Sequence, residues 1–200
     1  MAYTSLEDCL LDLEKHGHLL RVREEVDPYL EMAAIHERIY QQGGPALLFE
    51  RVKGSRFRAA SNIFGTLDRS RFIFRHQLAA VQTLIALKND PMQALKKPWK
   101  HLGTAMAAWK ALPLRNPARK PVMHQQIRIS DIPLIHHWPM DGGAFVTLPQ
   151  VYSEDIEQPG IMKANLGMYR IQLSGNDYVQ DKEIGLHYQL HRGIGALGFT

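Results

Sequence analysis

The chain has 200 residues, of which 45% are hydrophobic and 22% are charged, and this balance excludes a disordered, collagen-like or low-complexity protein. The longest apolar runs are too short to span a bilayer, and the acidic residues that precede Lys15 argue against a secretory signal. The single cysteine, Cys9, predicts a protein of a reducing, cytoplasmic compartment. The modest net charge of +4 does not favour a nucleic-acid-binding surface.

The first half of the chain alternates predicted helices and strands. Ser5, followed by acidic residues, is typical of a helix N-cap, and Gly17 predicts the end of that helix. Pro28 predicts the start of a second helix, which Gly43 ends. Predicted strands cover 18–26, 46–52 and 56–63, and predicted helices cover 68–87 and a short stretch from Pro91. This order contains a βαβ unit and predicts an α/β domain.

Three evenly spaced prolines, Pro113, Pro117 and Pro121, predict an extended connector between two domains. We place the first domain at residues 1–115 and the second at residues 116–200. The second region has a β-like texture but is too short to build much core of its own. The chain is therefore expected to end inside its second domain.

Residues 165–172 form the first candidate site. Asn165 offers an amide oxygen to a hard cation, Gly167 permits close backbone approach, and Arg170 supplies a positive charge. In a straight strand Asn165 and Arg170 face opposite sides, whereas a bulge at Gly167 would bring them to one side. The alternative is an ordinary buried strand with an arginine at its end.

Residues 187–193 form the second candidate site. Strand alternation places His187, Gln189 and His191 on one face, where imidazoles can bind a divalent metal. Arg192 suits a phosphate or a carboxylate. Residues 174–177 predict a hairpin turn that would place this stretch beside residues 165–172. The alternative is a pair of structural or surface histidines.

A third stretch contains His136, His137 and Trp138, followed by the turn signal of Asp141, Gly142 and Gly143. Adjacent histidines point in opposite directions on a strand, so that one metal ion cannot easily bind both. The glycine turn can also present backbone N–H groups to an anion. A structural role is the favoured interpretation of His136, His137 and Trp138.

Taken together, several motifs resemble the UbiD family of reversible decarboxylases, which use prenylated FMN. The motifs lie at residues 44–54, 62–65, 131–133, 141–143 and 165–170. The resemblance implies an α/β N-terminal domain followed by part of a split β-barrel related to flavin reductases. It also implies that the complete protein is a homo-oligomer, assembled through a further domain.

The resemblance implies roles for individual residues. Asn165 and His187 would bind a divalent metal, usually Mn²⁺, which holds the cofactor phosphate with K⁺ nearby. Arg170 would be the catalytic positive group, oriented by a carboxylate. The residues expected to bind the cofactor are Asn165, Met168, Tyr169, Arg170, His187, Tyr188, Gln189, Arg192 and Gly193.

The implied activity is reversible removal of CO₂ from an aromatic or α,β-unsaturated carboxylic acid such as a hydroxybenzoate, with a flavin prenyltransferase supplying the cofactor. Family members also carry a glutamate metal ligand and an acidic proton donor, both expected beyond Thr200. We therefore expect this chain to hold only the N-terminal half of the site and to be inactive alone. One alternative is a non-catalytic binding or assembly module. Another is a flavin oxidoreductase, although no dinucleotide fingerprint is present.

Overall fold

A computed structural model of the protein describes residues 3–89 and 125–187. The described helices are α1 (Leu6–Lys15), α2 (Glu31–Gln41), α3 (Leu67–Ile73) and α4 (Leu78–Asn89). The described strands are β1 (Leu19–Val26), β2 (Ala46–Val52), β3 (Ala59–Ser61), β4 (Phe145–Val146), β5 (Gln150–Glu154), β6 (Ala164–Met168), β7 (Ile171–Gln172) and β8 (Gly185–Leu186). Among the described residues there is no helix with the length and hydrophobicity needed to cross a membrane.

The N-terminal region is built on a sheet with the order β1-β2-β3. β1 and β2 are parallel and are connected through α2, whereas β3 pairs antiparallel with β2. The predicted βαβ unit is therefore confirmed. β2 begins with four buried residues in succession, which is typical of a strand that is covered on both faces.

Two hydrophobic clusters cover the two faces of β2. On one face, Leu47 and Phe49 pack with Met32 of α2. On the other face, Ala46 packs with Leu13 of α1 and Ile73 of α3. Because side chains alternate along a strand, successive residues of β2 serve different clusters. The result is one sheet between two layers of helices.

The start of α1 agrees with its sequence signal. The Ser5 hydroxyl accepts a hydrogen bond from the Asp8 backbone N–H at 3.1 Å, as an N-cap should. After the helix, Gly17 has φ +74°, a conformation that glycine adopts without steric cost.

The start of α2 differs from the prediction that placed it at Pro28. Leu30 has φ +64°, and its N–H donates to the His136 carbonyl oxygen at 3.2 Å. The His136 N–H donates in turn to the Pro28 carbonyl oxygen at 3.0 Å. These contacts hold residues 28–30 in a bridge to the second region, so that the helix begins only at Glu31.

The long helix predicted over 68–87 is also wrong, because α3 ends at Ile73 and α4 begins at Leu78. Arg75 lies in the break, with its guanidinium carbon 3.9 Å from the Phe72 ring centroid and its Nη2 2.7 Å from Asp12. These contacts tie the break to α1. The strand predicted over 56–63 forms a ladder only at Ala59–Ser61.

The second region contains two small antiparallel sheets within the described residues, one with the order β4-β7-β8 and the other formed by β5 and β6. The described residues contain no closed barrel. The expected split barrel therefore stays a prediction. The predicted boundary between residues 115 and 116 and the helical stretch predicted from Pro91 lie outside the described residues.

Candidate functional site

The strands β4, β7 and β8 place His187, the one described residue of the second predicted motif, beside the first motif. Phe145 lies opposite Gln172 across β4 and β7, and Gln172 lies opposite Gly185 across β7 and β8. The backbone N–H of His187 donates to the Arg170 carbonyl oxygen at 3.2 Å. The predicted antiparallel pairing therefore forms and places residue 187 beside residue 170, although residues 173–184 separate the two strands and no tight hairpin turn at 174–177 joins them. We call the surface formed by Arg170, Phe145, Gln172 and His187 the Arg170 face.

Arg170 is exposed, and its guanidinium carbon lies 4.0 Å from the Phe145 ring centroid. This is a cation–π contact, which orients the charge without neutralising it. The His187 ring meets the same Phe145 ring edge-on, with centroids 5.7 Å apart and planes at 75°. Within residues 3–89 and 125–187, Arg170 forms no ion pair. Among the described residues an aromatic ring orients this arginine, and the expected carboxylate partner stays a prediction.

The amide of Gln172 connects His187 to two loops. Gln172 is 1% exposed, and its Nε2 donates to the carbonyl oxygens of Gly142 at 3.2 Å and of Ser174 at 3.0 Å. Its Oε1 accepts from Asn176 Nδ2 at 3.3 Å and lies 3.1 Å from His187 Nε2. Both ends of the amide are therefore occupied.

The glycine turn at residues 141–143 packs directly against residues 174–175. A β-carbon added at Gly143 would lie 1.8 Å from the Ser174 carbonyl oxygen, and one added at Gly175 would lie 1.6 Å from the Gly142 carbonyl oxygen. Gly175 also has φ +85°, a region that favours glycine. The close approach of the two loops fixes the two carbonyl groups that the Gln172 amide contacts.

Asn165 and Tyr169, which precede Arg170 in the chain, form a second group of contacting side chains. Asn165 Nδ2 donates to the Tyr169 hydroxyl at 2.7 Å. Gly167, between them, makes room for this contact, because a β-carbon there would lie 2.7 Å from the Tyr169 ring. The glycine thus permits the ring to fold back over the strand.

The bulge predicted at Gly167 is absent from the described ladder. β5 and β6 pair in regular register from Ala164 to Met168. The chain instead changes sheets between β6 and β7, at Tyr169 and Arg170. Met168 is 64% exposed and lies on the face of β6 opposite Asn165, because side chains alternate. These two predicted cofactor residues therefore do not share one face of the strand.

A cavity of about 610 Å³ lies between the N-terminal sheet and residues 132–148. Phe145 lines it, and so do His36, Ser61 and His137. His36 Nδ1 is hydrogen-bonded to the Ser61 hydroxyl. Burial lowers the pKa of His36 and of His137, which favours neutral imidazoles. Phe145 thus belongs both to the cavity wall and to the Arg170 face.

His136 has the structural role that the sequence predicted. Its backbone pairs with residues 28–30, and its ring lies 5.2 Å from the ring of Tyr29. Trp138 is 63% exposed. The remaining predicted cofactor residues, Tyr188, Gln189, Arg192 and Gly193, lie outside the described residues, and their roles stay predictions.

The donor atoms of the two predicted metal ligands suit a divalent cation, which binds amide oxygens and imidazole nitrogens. Within the described residues, neither Asn165 Oδ1 nor His187 Nδ1 takes part in a hydrogen bond. No group of three or more His, Cys, Asp or Glu side chains that could hold a metal occurs in the described part of the chain. The two residues therefore fit a metal as donors but do not form a full ligand set there.

The residues that the sequence analysis did not assign are Phe145 and Gln172. Gln172 stands two positions after Arg170, so that strand alternation would have placed both side chains on one face. No comparable signal marked Phe145, because its partners lie far away in the chain.

Two family descriptions match the chain. Residues 10–88 match the 3-octaprenyl-4-hydroxybenzoate carboxy-lyase N-terminal domain of UbiD proteins. Residues 113–197 match the 3-octaprenyl-4-hydroxybenzoate carboxy-lyase Rift-related domain.

Similar proteins come from several organisms. An uncharacterised protein of Chlamydia muridarum is 36% identical over 195 residues, which cover 96% of this chain and 32% of that protein. A Chlamydia pneumoniae protein, named as one component of a 4-hydroxybenzoate decarboxylase, is 34% identical, over 92% of this chain and 32% of that protein. The chain thus spans about a third of the length of these curated relatives.

A solved structure shares the fold. It is an evolved dimeric form of the UbiD-class enzyme HmfF from Pelotomaculum thermopropionicum in complex with prFMN. It matches with a TM-score of 0.62 and 27% identity, over 94% of this chain and 39% of that chain.

Proposed function

The chain belongs to the UbiD family of carboxy-lyases, and on that premise we propose that it carries the N-terminal half of a decarboxylase site. The reaction is the reversible removal of CO₂ from an aromatic or α,β-unsaturated carboxylic acid, with hydroxybenzoates as the first candidates. The observation that carries the proposal is the Arg170 face. There the paired strands β7 and β8 bring a guanidinium that has no ion-pair partner among the described residues together with an imidazole, around one aromatic ring.

Arg170 is the group proposed to bind and orient the substrate carboxylate. Its guanidinium presents several N–H donors in a planar fork, which matches the geometry of a carboxylate. Because Phe145 contacts the guanidinium through its ring face, the positive charge stays available to a ligand. The apolar surface of the buried Phe145 also keeps water away from one side of the charge and strengthens its attraction for an anion.

The proposed cofactor is prenylated FMN, which when bound supplies the electron sink for the departing CO₂. Similarity to the HmfF structure with prFMN supports this assignment. The chain's own residues proposed to hold it are Asn165, Met168, Tyr169, Arg170, His187, Tyr188, Gln189, Arg192 and Gly193. Asn165 and His187 are the proposed ligands of a divalent metal, Mn²⁺, with K⁺ nearby.

The proposal extends to the protein as a whole. Because the chain spans about a third of its curated relatives, the glutamate metal ligand and the proton donor are proposed to come from the remaining length of such a protein. The 200 residues alone are then inactive. The complete protein is proposed to be cytoplasmic and homo-oligomeric, and to receive its cofactor from a flavin prenyltransferase.

The test uses the full-length protein, produced in cells that also make prenylated FMN. Exchange of ¹³C-bicarbonate into a panel of hydroxybenzoic and phenylacrylic acids is measured by NMR. We expect exchange into at least one acid, and a loss of about 100-fold or more in Arg170→Ala. Arg71→Ala is the matched control, because Arg71 is an exposed arginine on α3, away from the Arg170 face.

Two results would contradict the proposal. If the flavin-loaded protein exchanges no acid of either class, the non-catalytic binding module becomes the better interpretation. If Arg170→Ala exchanges as fast as Arg71→Ala, Arg170 has no part in the reaction.

A further inference from the structure

The oxygen of the buried Gln172 amide lies 3.1 Å from Nε2 of the exposed His187 ring on the Arg170 face. We infer that Gln172 is a positioning residue: it holds His187 in the tautomer with the proton on Nε2 and leaves Nδ1 as the nitrogen that binds a divalent cation. The claim that Nδ1 binds a metal rests on the proposed function, in which His187 is a metal ligand. The assignment of the tautomer rests on hydrogen bonding alone.

The direction of the Gln172 amide follows from its partners. The carbonyl oxygens of Gly142 and Ser174 can only accept hydrogen bonds, so that the atom between them must be the amide nitrogen. The amide oxygen therefore points the other way, toward Asn176 and His187. A flipped amide would set its oxygen against two carbonyl oxygens and its nitrogen against the Asn176 donor.

The tautomer of His187 follows from the amide direction. An amide oxygen can only accept, so that the Nε2 atom lying 3.1 Å away must carry a proton. In the neutral imidazole the lone pair then resides on Nδ1. Within the described residues no group is hydrogen-bonded to Nδ1, and the side chain is exposed. Nδ1 is thus the ring nitrogen whose lone pair can bind a metal.

The contacts that hold the Gln172 amide are rigid because the groups around it are buried and closely packed. Gln172 is 1% exposed and pairs on both sides within a sheet, between Phe145 and Gly185. The two loops that supply its carbonyl acceptors touch without space for a β-carbon at Gly143 or Gly175. The amide cannot rotate without leaving buried hydrogen-bonding groups unpaired, and each such group costs about 1–3 kcal/mol.

The tautomer is tested by long-range ¹H–¹⁵N correlation spectra of the histidine-labelled 200-residue chain at about pH 8.5, where histidine side chains are neutral. His187→Gln assigns the signal. We expect the Nε2–H tautomer in the unmodified chain and a mixture of tautomers in Gln172→Leu. Asn176→Gly removes the other donor to Oε1, suits the positive φ of 49°, and should leave the tautomer unchanged.

An Nδ1–H tautomer in the unmodified chain would overturn the role of Gln172 even if Gln172→Leu did not fold. A single Nε2–H tautomer in folded Gln172→Leu would overturn it as well. Both results would leave the proposed decarboxylase function standing.

The ligand is tested with Mn²⁺ alone, by electron paramagnetic resonance titration of the full-length protein. We expect Gln172→Leu to weaken Mn²⁺ binding by about 10-fold or more, as loss of a group that orients a metal-binding histidine does. Asn176→Gly should bind as the unmodified protein does. Unchanged binding in Gln172→Leu would overturn Nδ1 as the ligand atom. Failure of the unmodified protein to bind Mn²⁺ would overturn the metal site itself, independently of the tautomer.

Discussion

The guanidinium carbon of Arg170 lies 4.0 Å from the ring centroid of Phe145, which is itself 5% exposed. Phe145→Leu keeps an apolar side chain but removes the aromatic face. We expect it to lower the free energy of unfolding by about 1–2 kcal/mol and to weaken retention of the flavin in the full-length protein. Urea unfolding and the flavin absorbance after gel filtration measure the two effects.

Phe49→Leu is the control for this prediction, because Phe49 is fully buried in the core cluster around β2 and lies outside the β4-β7-β8 sheet. It should lower stability by a similar amount and leave flavin retention unchanged. Equal flavin retention in the two variants would show that the aromatic support of Arg170 does not matter to the site.

Local sequence signals predicted the elements that neighbouring residues determine. Ser5 and Gly17 marked the ends of α1, and the apolar run at residues 46–52 coincides with β2. Such elements need only a cap, a turn residue or a periodic pattern close by. The antiparallel pairing that places His187 beside Arg170 was predictable, although the strands are separated by residues 173–184 and not by a tight turn at 174–177.

Elements that depend on distant residues were predicted wrongly or missed. α2 begins late because His136 holds Leu30, and the helix predicted over 68–87 is interrupted where Arg75 contacts Asp12. Strand alternation places Gln172 on the same face as Arg170, but nothing local shows which groups its amide contacts. Its role arises from backbone groups that the chain brings together only in the folded state.

Arg69 gives a prediction about the stability of the N-terminal region. Its side chain is 2% exposed and donates to the carbonyl oxygens of Ile63 at 3.0 Å, Gly44 at 2.9 Å and Asn62 at 2.6 Å. Arg69→Met removes these three buried hydrogen bonds. The Gly44 carbonyl oxygen then keeps only the Asn62 side-chain amide at 3.2 Å, and the Asn62 carbonyl oxygen keeps only the Gly65 N–H at 3.3 Å. We expect the free energy of unfolding to fall by about 2–4 kcal/mol, measured by urea unfolding.

Arg69→Lys should recover only part of the loss, because one ammonium group lacks the fork that reaches three acceptors. Arg71→Met, on the exposed side of α3, is the matched control and should change the stability by less than about 0.5 kcal/mol. A loss in Arg69→Met no larger than in this control would show that the buried hydrogen bonds contribute little.

The cavity between the two regions predicts a loss of stability in acid. Burial lowers the pKa of His36, against a smaller opposing effect of Glu37. Burial also lowers the pKa of His137, where Asp141 opposes the effect and nearby cationic groups, Arg170 among them, add to it. Because both folded pKa values lie below the unfolded value of about 6.5, the unfolded chain takes up more protons as the pH falls.

We therefore expect the urea midpoint to fall between about pH 7.5 and about pH 5.5, with the stability fully present above that range. The double variant His36→Gln, His137→Gln should lose much of this dependence, whereas the exposed His76→Gln should retain it. The same pH slope in the double variant and in the unmodified chain would mean that other groups control the acid sensitivity.

Gly167 provides a steric prediction at the candidate site. A β-carbon there would lie 2.7 Å from the Tyr169 ring, whose hydroxyl accepts the hydrogen bond from Asn165. Gly167→Ala should cost about 1–3 kcal/mol of unfolding free energy, because the ring must move. In the Tyr169→Ala background the same change should cost less than about 0.5 kcal/mol, and a double-mutant cycle by urea unfolding measures the difference. Gly160→Ala, where a β-carbon meets no atom within 4 Å, controls for the intrinsic effect of the substitution. An equal cost of Gly167→Ala in both backgrounds would place the steric conflict elsewhere than at Tyr169.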